Sequence, residues 1–156
     1  MPIMHDEPEI HNLIDQFIEG WNAGDGFMCA RPFAESADFT AVTGQRVRGR
    51  DLIARGHAEI LSTVFKGTHN SATVNEIVFL RPDVAVADVT FRIKPTPDKP
   101  WIPKYSSCGV VATREDGRWT IAVFRNMVPF DRPVAGPLDK LTREEAQAAF
   151  EQQATV

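Results

Sequence analysis

The chain has 156 residues, of which 43% are hydrophobic and 24% are charged, and its formal net charge is -4. These values are close to the globular average and to the size of one domain, so they argue against wholesale disorder. Its basic residues form no cluster beyond Arg46, Arg48 and Arg50. This argues against a nucleic-acid partner, which needs a dense positive surface.

The sequence also lacks the signals of membrane insertion and secretion. No apolar run approaches the roughly 18–20 residues of a membrane span, and residues 1–9 lack the basic and apolar regions of a secretory signal. The two cysteines, Cys29 and Cys108, stand in no C-x-x-C or Cys/His spacing, which is typical of reduced thiols. We therefore expect a cytoplasmic protein with no membrane partner.

The first part of the chain predicts three helices and a short strand pair. The first helix should start near Asp6 and Pro8 and end before Gly24, because its apolar residues recur at helical spacing: Ile10, Leu13, Ile14, Phe17, Ile18 and Trp21. A short second helix is predicted over about 25–33, and strands over 38–43 and 45–47. A third helix is predicted from Asp51 to about Thr63, with His57 inside its apolar stripe.

From residue 69 onward the pattern changes to strands. Runs rich in β-branched residues predict strands over 69–80, 84–93, 104–115 and 118–126, and Asp116-Gly117 predicts a hairpin turn. Strands linked by hairpins after a run of helices predict an α+β fold, with an antiparallel sheet covered by helices on one face. We expect this domain to occupy residues 1–130.

Residues 131–156 are expected to form a separate extension. Pro129, Pro133 and Pro137 predict that it begins as an extended arm. The sequence Thr142-Arg143-Glu144-Glu145 has the spacing of a capping box and predicts a short helix to about Gln152.

Several segments together carry a family resemblance through their order and spacing: WNAGD at 21–25, FAESADF at 33–39, VRGR at 47–50 with His57 downstream, LRPDVAV at 80–86, REDGRWTI at 114–121 and FRN at 124–126. In these segments the chain resembles the nuclear transport factor 2-like superfamily. Within it, the chain is most similar to the polyketide-cyclase-like (SnoaL-like) group, and there to small bacterial proteins of the SgcJ/EcaC type.

The resemblance implies a cone-like, cystatin-like barrel in which a curved antiparallel sheet wraps N-terminal helices around a pocket. It also implies a homodimer. Independently, the predicted strand over 84–93 carries apolar or small residues on both faces, and a partner subunit packed on the sheet is the simplest second cover.

Members of the superfamily that isomerise steroids use a tyrosine and two carboxylic acids. At the corresponding positions this chain has Phe17, Ala41, and Gly109 or Val110. That activity is therefore disfavoured, because the base and the oxyanion donors are missing.

Two side chains are candidate catalytic groups. His57 can act as a general acid or base near neutral pH, or it can be a core histidine bonded to a backbone carbonyl. Asp88 lies in the middle of a strand, where it either orients His57 or occupies a solvated face. The candidate ligand-binding residues are Trp21, Thr43, His57, Arg92, Phe124 and Asn126.

The four histidines show no metal-ligand spacing, and no glycine-rich phosphate loop occurs, so we expect neither a metal nor a cofactor. Three functions stay open. The first is a module that binds a small, mostly apolar molecule. The second is a cofactor-independent isomerase, cyclase or dehydratase that uses His57 and Asp88. The third is a dimerisation or assembly protein. A hydrogen bond between His57 and Asp88 favours the enzyme, a backbone-bonded His57 in an apolar pocket favours binding, and a filled core favours assembly.

Overall fold

The computed structural model of the chain describes residues 3–129 and 142–154. Its elements follow in this order: α1 Ile3–Asn22, α2 Gly26–Ala30, β1 Phe33–Thr40, β2 Arg46–Arg48, α3 Arg50–Ser62, β3 His69–Arg81, β4 Val84–Lys94, β5 Tyr105–Glu115, β6 Arg118–Met127 and α4 Arg143–Ala154. None of these helices is both long and apolar enough to span a membrane.

The strands form one six-stranded sheet in the order β2-β1-β6-β5-β4-β3. Neighbouring strands are antiparallel except β1 and β6, which run parallel with Phe39 beside Phe124. This pair departs from the purely antiparallel sheet that was predicted. The α+β fold class itself is confirmed, because N-terminal helices cover one face of a curved sheet.

Burial alternates along the strands and separates an inner face from an outer face. On β4 the buried residues are Ala85, Ala87, Val89 and Phe91, and on β5 they are Ser106, Cys108, Val110 and Ala112. Successive strand residues point to opposite faces, so these residues form the inner face that packs on the helices. The residues that alternate with these along β4 and β5 form the outer face. None of the described helices packs on that face.

Several short sequence motifs produce the turns and the helix cap that were predicted from them. Gly24 follows α1 with φ 67°, and Asp116 and Gly117 turn the β5–β6 hairpin with φ 51° and 77°. Two consecutive positive φ values match the tight hairpin turn that an Asp-Gly pair favours. Asp25 caps α2, because its carboxylate accepts hydrogen bonds from the backbone N–H groups of Phe27 and Met28.

Two predicted boundaries are wrong because tertiary contacts override the local signals. Helix α1 begins at Ile3, so Pro8 lies inside it. Asp6 does not cap the helix, and its carboxylate instead lies 3.0 Å from the guanidinium of Arg114 on β5. Strand β1 covers Phe33–Thr40 rather than 38–43, because Phe33 pairs with Ile121 on β6.

The helix of the extension forms as predicted. In the capping box, Thr142 N–H donates to the Glu145 carboxylate (2.9 Å) and Glu145 N–H donates to the Thr142 hydroxyl (3.2 Å). No side chain of α4 is buried. The expected boundary at residue 130 and the prolines Pro133 and Pro137 lie outside the described residues.

Candidate functional site

A cavity of about 240 Å³ lies between the inner face of the sheet and helices α1 and α3. Its walls are mostly aromatic and aliphatic. The rings that line it come from four strands or helices and one loop: Phe17, Trp21, Phe39, Phe65, Phe91 and Phe124. The bulky rings of α1 and those of the sheet do not fill all the volume between them. The core therefore contains a space that a small molecule can occupy.

Stacked rings form the sheet side of the cavity. Phe39 and Phe124, paired across β1 and β6, have ring centroids 4.8 Å apart and an interplanar angle of 12°. Phe91 on β4 lies 5.8 Å from Phe124 at 27°. These rings are stacked face against face, and together they form an apolar, aromatic wall of the cavity.

His57 lies on the helix side of the same cavity and is 4% exposed. Its Nδ1 is 2.8 Å from the backbone oxygen of Ile53, one turn earlier in α3. Burial lowers the pKa of His57 below its ordinary value, against a smaller opposite effect of the bond to Ile53. The imidazole is therefore neutral near pH 7.

Three aromatic rings enclose the His57 imidazole. The edge-on contacts have centroid distances of 5.1 Å to Phe39, 5.5 Å to Phe17 and 6.3 Å to Trp21. These neighbours carry no charge that could stabilise an imidazolium. The arrangement holds the ring in one orientation beside the cavity.

The remaining polar groups of the lining are neutral: Thr43, Gln45, Asn70, Ser106 and Asn126. The side-chain oxygens of Asn70 and Asn126 are buried, and neither has a hydrogen-bond partner within the described residues. The backbone of Asn70 is fixed by two bonds with the Asn22 amide, of 2.7 and 2.9 Å. No Asp, Glu, Lys or Arg is among the described residues that line the cavity.

The structure brings most of the predicted ligand-binding residues together. Those that line the cavity are Trp21, Thr43, His57, Phe124 and Asn126. Trp21 is also 6% exposed, so it belongs to the core as well as to the wall of the cavity. Phe17 and Ala41, which replace catalytic groups of the steroid-isomerising relatives, line the cavity as well.

The structure does not bring Asp88 and Arg92 to the cavity. Both are exposed on the outer face of β4, because Val89 and Phe91 on the same strand face inward. Asp88 therefore cannot orient His57. This separation removes the acid–base pair that the sequence suggested.

Sequence reasoning missed the polar residues Asn70 and Ser106. Asn70 is 2% exposed and Ser106 is 6% exposed, and both occupy inward positions near strand ends. The sequence contained an indication of this, because an inward apolar residue follows each of them two positions later on the same strand. That residue is Ala72 after Asn70 and Cys108 after Ser106. A polar residue that starts such a series is a candidate pocket residue.

The thiols of Cys29 and Cys108 are unreactive. Burial raises the pKa of Cys29 to about 12 and raises the pKa of Cys108 still more. Both thiols are neutral at physiological pH and are poor nucleophiles. Across residues 3–129 and 142–154, no three His, Cys, Asp or Glu side chains converge in a way that could hold a metal ion.

A charged cluster lies on the other side of the sheet. Asp38 Oδ2 is 2.7 Å from Arg46, 2.9 Å from Arg125 and 3.4 Å from Arg48. Hydrogen bonds from Arg125 and then Arg46 hold the pKa of Asp38 well below its usual range. One carboxylate against three guanidinium groups leaves this end of the outer face positive.

The helices and the curved sheet together form an α+β, cystatin-like fold, which solved structures of nuclear transport factor 2-like proteins share. A cystatin-like protein of unknown function from Nostoc punctiforme is 28% identical, with a TM-score of 0.75 over 97% of this chain and 96% of that chain. An uncharacterised cystatin-like protein from Caulobacter vibrioides is 26% identical, with a TM-score of 0.74 over 85% and 96%.

A third solved structure shows the fold at lower identity. The nuclear transport factor 2-like protein from Novosphingobium aromaticivorans is 17% identical, with a TM-score of 0.68 over 85% of this chain and 86% of that chain. No protein-family model and no curated protein matches the sequence. The similarity therefore defines the fold and leaves function to be argued from the site.

Proposed function

We propose that the protein binds a small, mostly apolar molecule in the cavity between the sheet and helices α1 and α3. The observation that carries this proposal is the cavity itself, about 240 Å³ of space lined by aromatic rings and neutral polar groups. Pockets for drug-sized molecules are about 300–1,000 Å³, so this volume suits a molecule of one or two rings. An assembly role alone gives no reason for such a space in the core.

The enzyme alternative has less support. A cofactor-independent isomerase, cyclase or dehydratase needs a positioned acid–base pair, and His57 has its Nδ1 bonded to the backbone of Ile53. Asp88 is exposed on the outer face. Within the fold, the motifs favour the SnoaL-like group, nearest the SgcJ/EcaC type. The cytoplasmic location stays a prediction.

The experiment that tests binding compares the native and denatured mass of the protein purified from its own host. A bound molecule appears as extra mass in the native spectrum only. The matched variant is Gly56→Phe, because Gly56 lines the cavity and a Cβ there meets nothing within 4 Å. The control is Leu80→Phe, at an exposed position near the end of β3 that does not line the cavity.

We expect Gly56→Phe to lose the bound mass and Leu80→Phe to keep it. If a folded Gly56→Phe variant retains the same mass, the molecule is bound elsewhere and the proposal is wrong. If the wild-type protein carries no mass, titration with aromatic probes supplies the test. Failure of all such probes to bind also contradicts the proposal.

We also infer that the outer face of the sheet binds a second copy of the chain. One row of residues in register crosses the sheet from β2 to β3: Arg46, Thr40, Arg125, Gly109, Asp88 and Glu76. Its first half is positive and its second half is negative. The next row consists of valines on four strands: Val123, Val111, Val86 and Val78.

This pattern is self-complementary about Gly109. Arg125 and Asp88 lie one strand away on either side of it, at roughly the 4.8 Å spacing of neighbouring strands. A two-fold axis there sets Arg125 of one copy against the partner's Asp88, and glycine leaves room for close approach. Asp88 and Glu76 are paired across β4 and β3, where two like charges repel each other. The partner's Arg125 brings a positive charge near this pair and reduces that repulsion.

Light scattering at micromolar concentration tests this second proposal. We expect twice the chain mass of 17.4 kDa. Attraction between the charged rows is strongest at low salt, where it is least screened. The mass of a single chain under that condition contradicts the proposal.

A further inference from the structure

The hydrogen bond of His57 fixes which nitrogen of its ring carries the proton. A backbone carbonyl oxygen only accepts hydrogen bonds, so Nδ1 of His57, 2.8 Å from the oxygen of Ile53, must be the donor. The buried ring is neutral, so Nε2 carries no proton and offers a lone pair. Within the described residues Nε2 has no hydrogen-bond partner.

None of the described lining residues donates a hydrogen bond to Nε2. The rings around His57 are those of Phe17, Phe39 and Trp21, and the indole N–H of Trp21 is already bonded to the Thr68 hydroxyl at 3.1 Å. An acceptor that a ligand covers without supplying a donor loses its hydrogen bond to water, so a ligand that brings a donor gains more than one that does not. The side-chain oxygens of Asn70 and Asn126 add two further unpartnered polar atoms.

The lining also discriminates by charge. The described lining residues include no side chain that could balance a carboxylate or an ammonium group. Transfer of an unpaired charge into such a site is strongly unfavourable, whereas a hydroxyl needs only one hydrogen bond. The stacked rings of Phe39, Phe124 and Phe91 offer apolar and aromatic contact to the body of the ligand.

We propose that the pocket selects uncharged, mostly apolar molecules with a hydroxyl or N–H group that donates to Nε2 of His57. This inference rests on the proposed binding function and specifies its ligand class. Phenol-like and hydroxylated polycyclic molecules fit it. Carboxylates, amines, and ethers with no donor do not.

Four probes with one ring system test the inference: naphthol, methoxynaphthalene, naphthalene and naphthoate. Each is titrated into the purified full-length protein by calorimetry at neutral pH, where naphthol is uncharged. We expect naphthol to bind about tenfold more tightly than methoxynaphthalene, and naphthoate to bind more weakly than naphthalene.

The variant His57→Phe keeps an aromatic ring and removes the acceptor. We expect it to lose the advantage of naphthol over methoxynaphthalene while it still binds naphthalene. Equal binding of naphthol and methoxynaphthalene to the wild-type protein overturns the inference, and so does a naphthol preference that survives in His57→Phe. If none of the four probes binds, the proposed function itself fails.

A measurement on the unaltered protein covers the case in which His57→Phe does not fold. In a nitrogen-15 spectrum of labelled histidine, His57 should show a protonated Nδ1 and an unprotonated Nε2. Naphthol should shift the Nε2 signal, and naphthalene should not. A protonated Nε2 in the free protein contradicts the inference.

Discussion

The indole Nε1 of Trp21 donates a hydrogen bond to the hydroxyl of Thr68, 3.1 Å away and 47 positions further along the chain. The same hydroxyl donates to the backbone oxygen of Phe65 at 2.7 Å. The ring centroids of Trp21 and Phe65 are 5.2 Å apart, and both rings line the cavity. Thr68 therefore holds one aromatic wall of the pocket in place.

Removal of that hydroxyl should destabilise the protein. Thr68→Val keeps the shape of the side chain but leaves the buried indole N–H without a partner, which costs about 1–3 kcal/mol of the free energy of unfolding. Urea denaturation measures the difference. Thr68→Ser, which retains the hydroxyl, should recover most of the loss. If the valine variant is as stable as the wild type, the bond does not contribute.

The burial of His57 predicts a pH dependence of stability. Its pKa in the folded protein is below the ordinary value of 6.5, so the unfolded chain binds more protons as pH falls through this value. The contribution is fully present above about pH 7 and is lost as pH falls towards the lower folded pKa. One proton changes the free energy of unfolding by at most about 1.4 kcal/mol per pH unit.

Denaturation curves between about pH 5 and pH 7 test this dependence. We expect the free energy of unfolding of His57→Phe to fall less steeply towards acid than that of the wild type. The same replacement at His11, which is exposed, serves as the control and should keep the wild-type slope. Equal slopes for His57→Phe and the wild type would show that His57 is not buried as a neutral ring.

Two helical glycines should respond oppositely to alanine. A Cβ at Gly26 would overlap backbone atoms of Ala54 and Ala58, where α2 packs on α3. Gly26→Ala should therefore lower the free energy of unfolding by about 1–3 kcal/mol. Gly56 in α3 has nothing within 4 Å of such an atom, so Gly56→Ala should raise it by up to about 1 kcal/mol.

Thermal and urea denaturation of both alanine variants measure these changes. The comparison is matched, because each variant adds the same methyl group to a helix. If Gly26→Ala is as stable as the wild type, the close contact between α2 and α3 is not present in solution.

Charge reversal should disrupt the inferred dimer. Asp88→Arg places a cation opposite the partner's Arg125, so we expect the dissociation constant of the dimer to rise by about tenfold or more. Sedimentation at several concentrations measures it. Asp83→Arg makes the same change at an exposed turn position outside the row. If both variants dimerise like the wild type, the second copy does not sit on this row.

The candidate site could be predicted only in part. The stripe of α3 placed His57 among apolar residues, and the structure puts it beside the cavity with Trp21 and Asn126. The role of Asp88 could not be decided, because alternation along β4 allowed either set of residues to face inward. The choice depends on which face meets α1, and that is a contact between distant parts of the chain.

The sequence by itself determined the elements, because helix periodicity, strand alternation and the Asp116-Gly117 turn are local properties of the chain. It also placed His57 within the apolar stripe of the third helix. Tertiary structure decided that β1 lies parallel to β6 and that Asp6 pairs with Arg114. It also decided that a cavity remains beside His57. These features depend on how side chains from separate elements fill a shared space, and no local pattern encodes that.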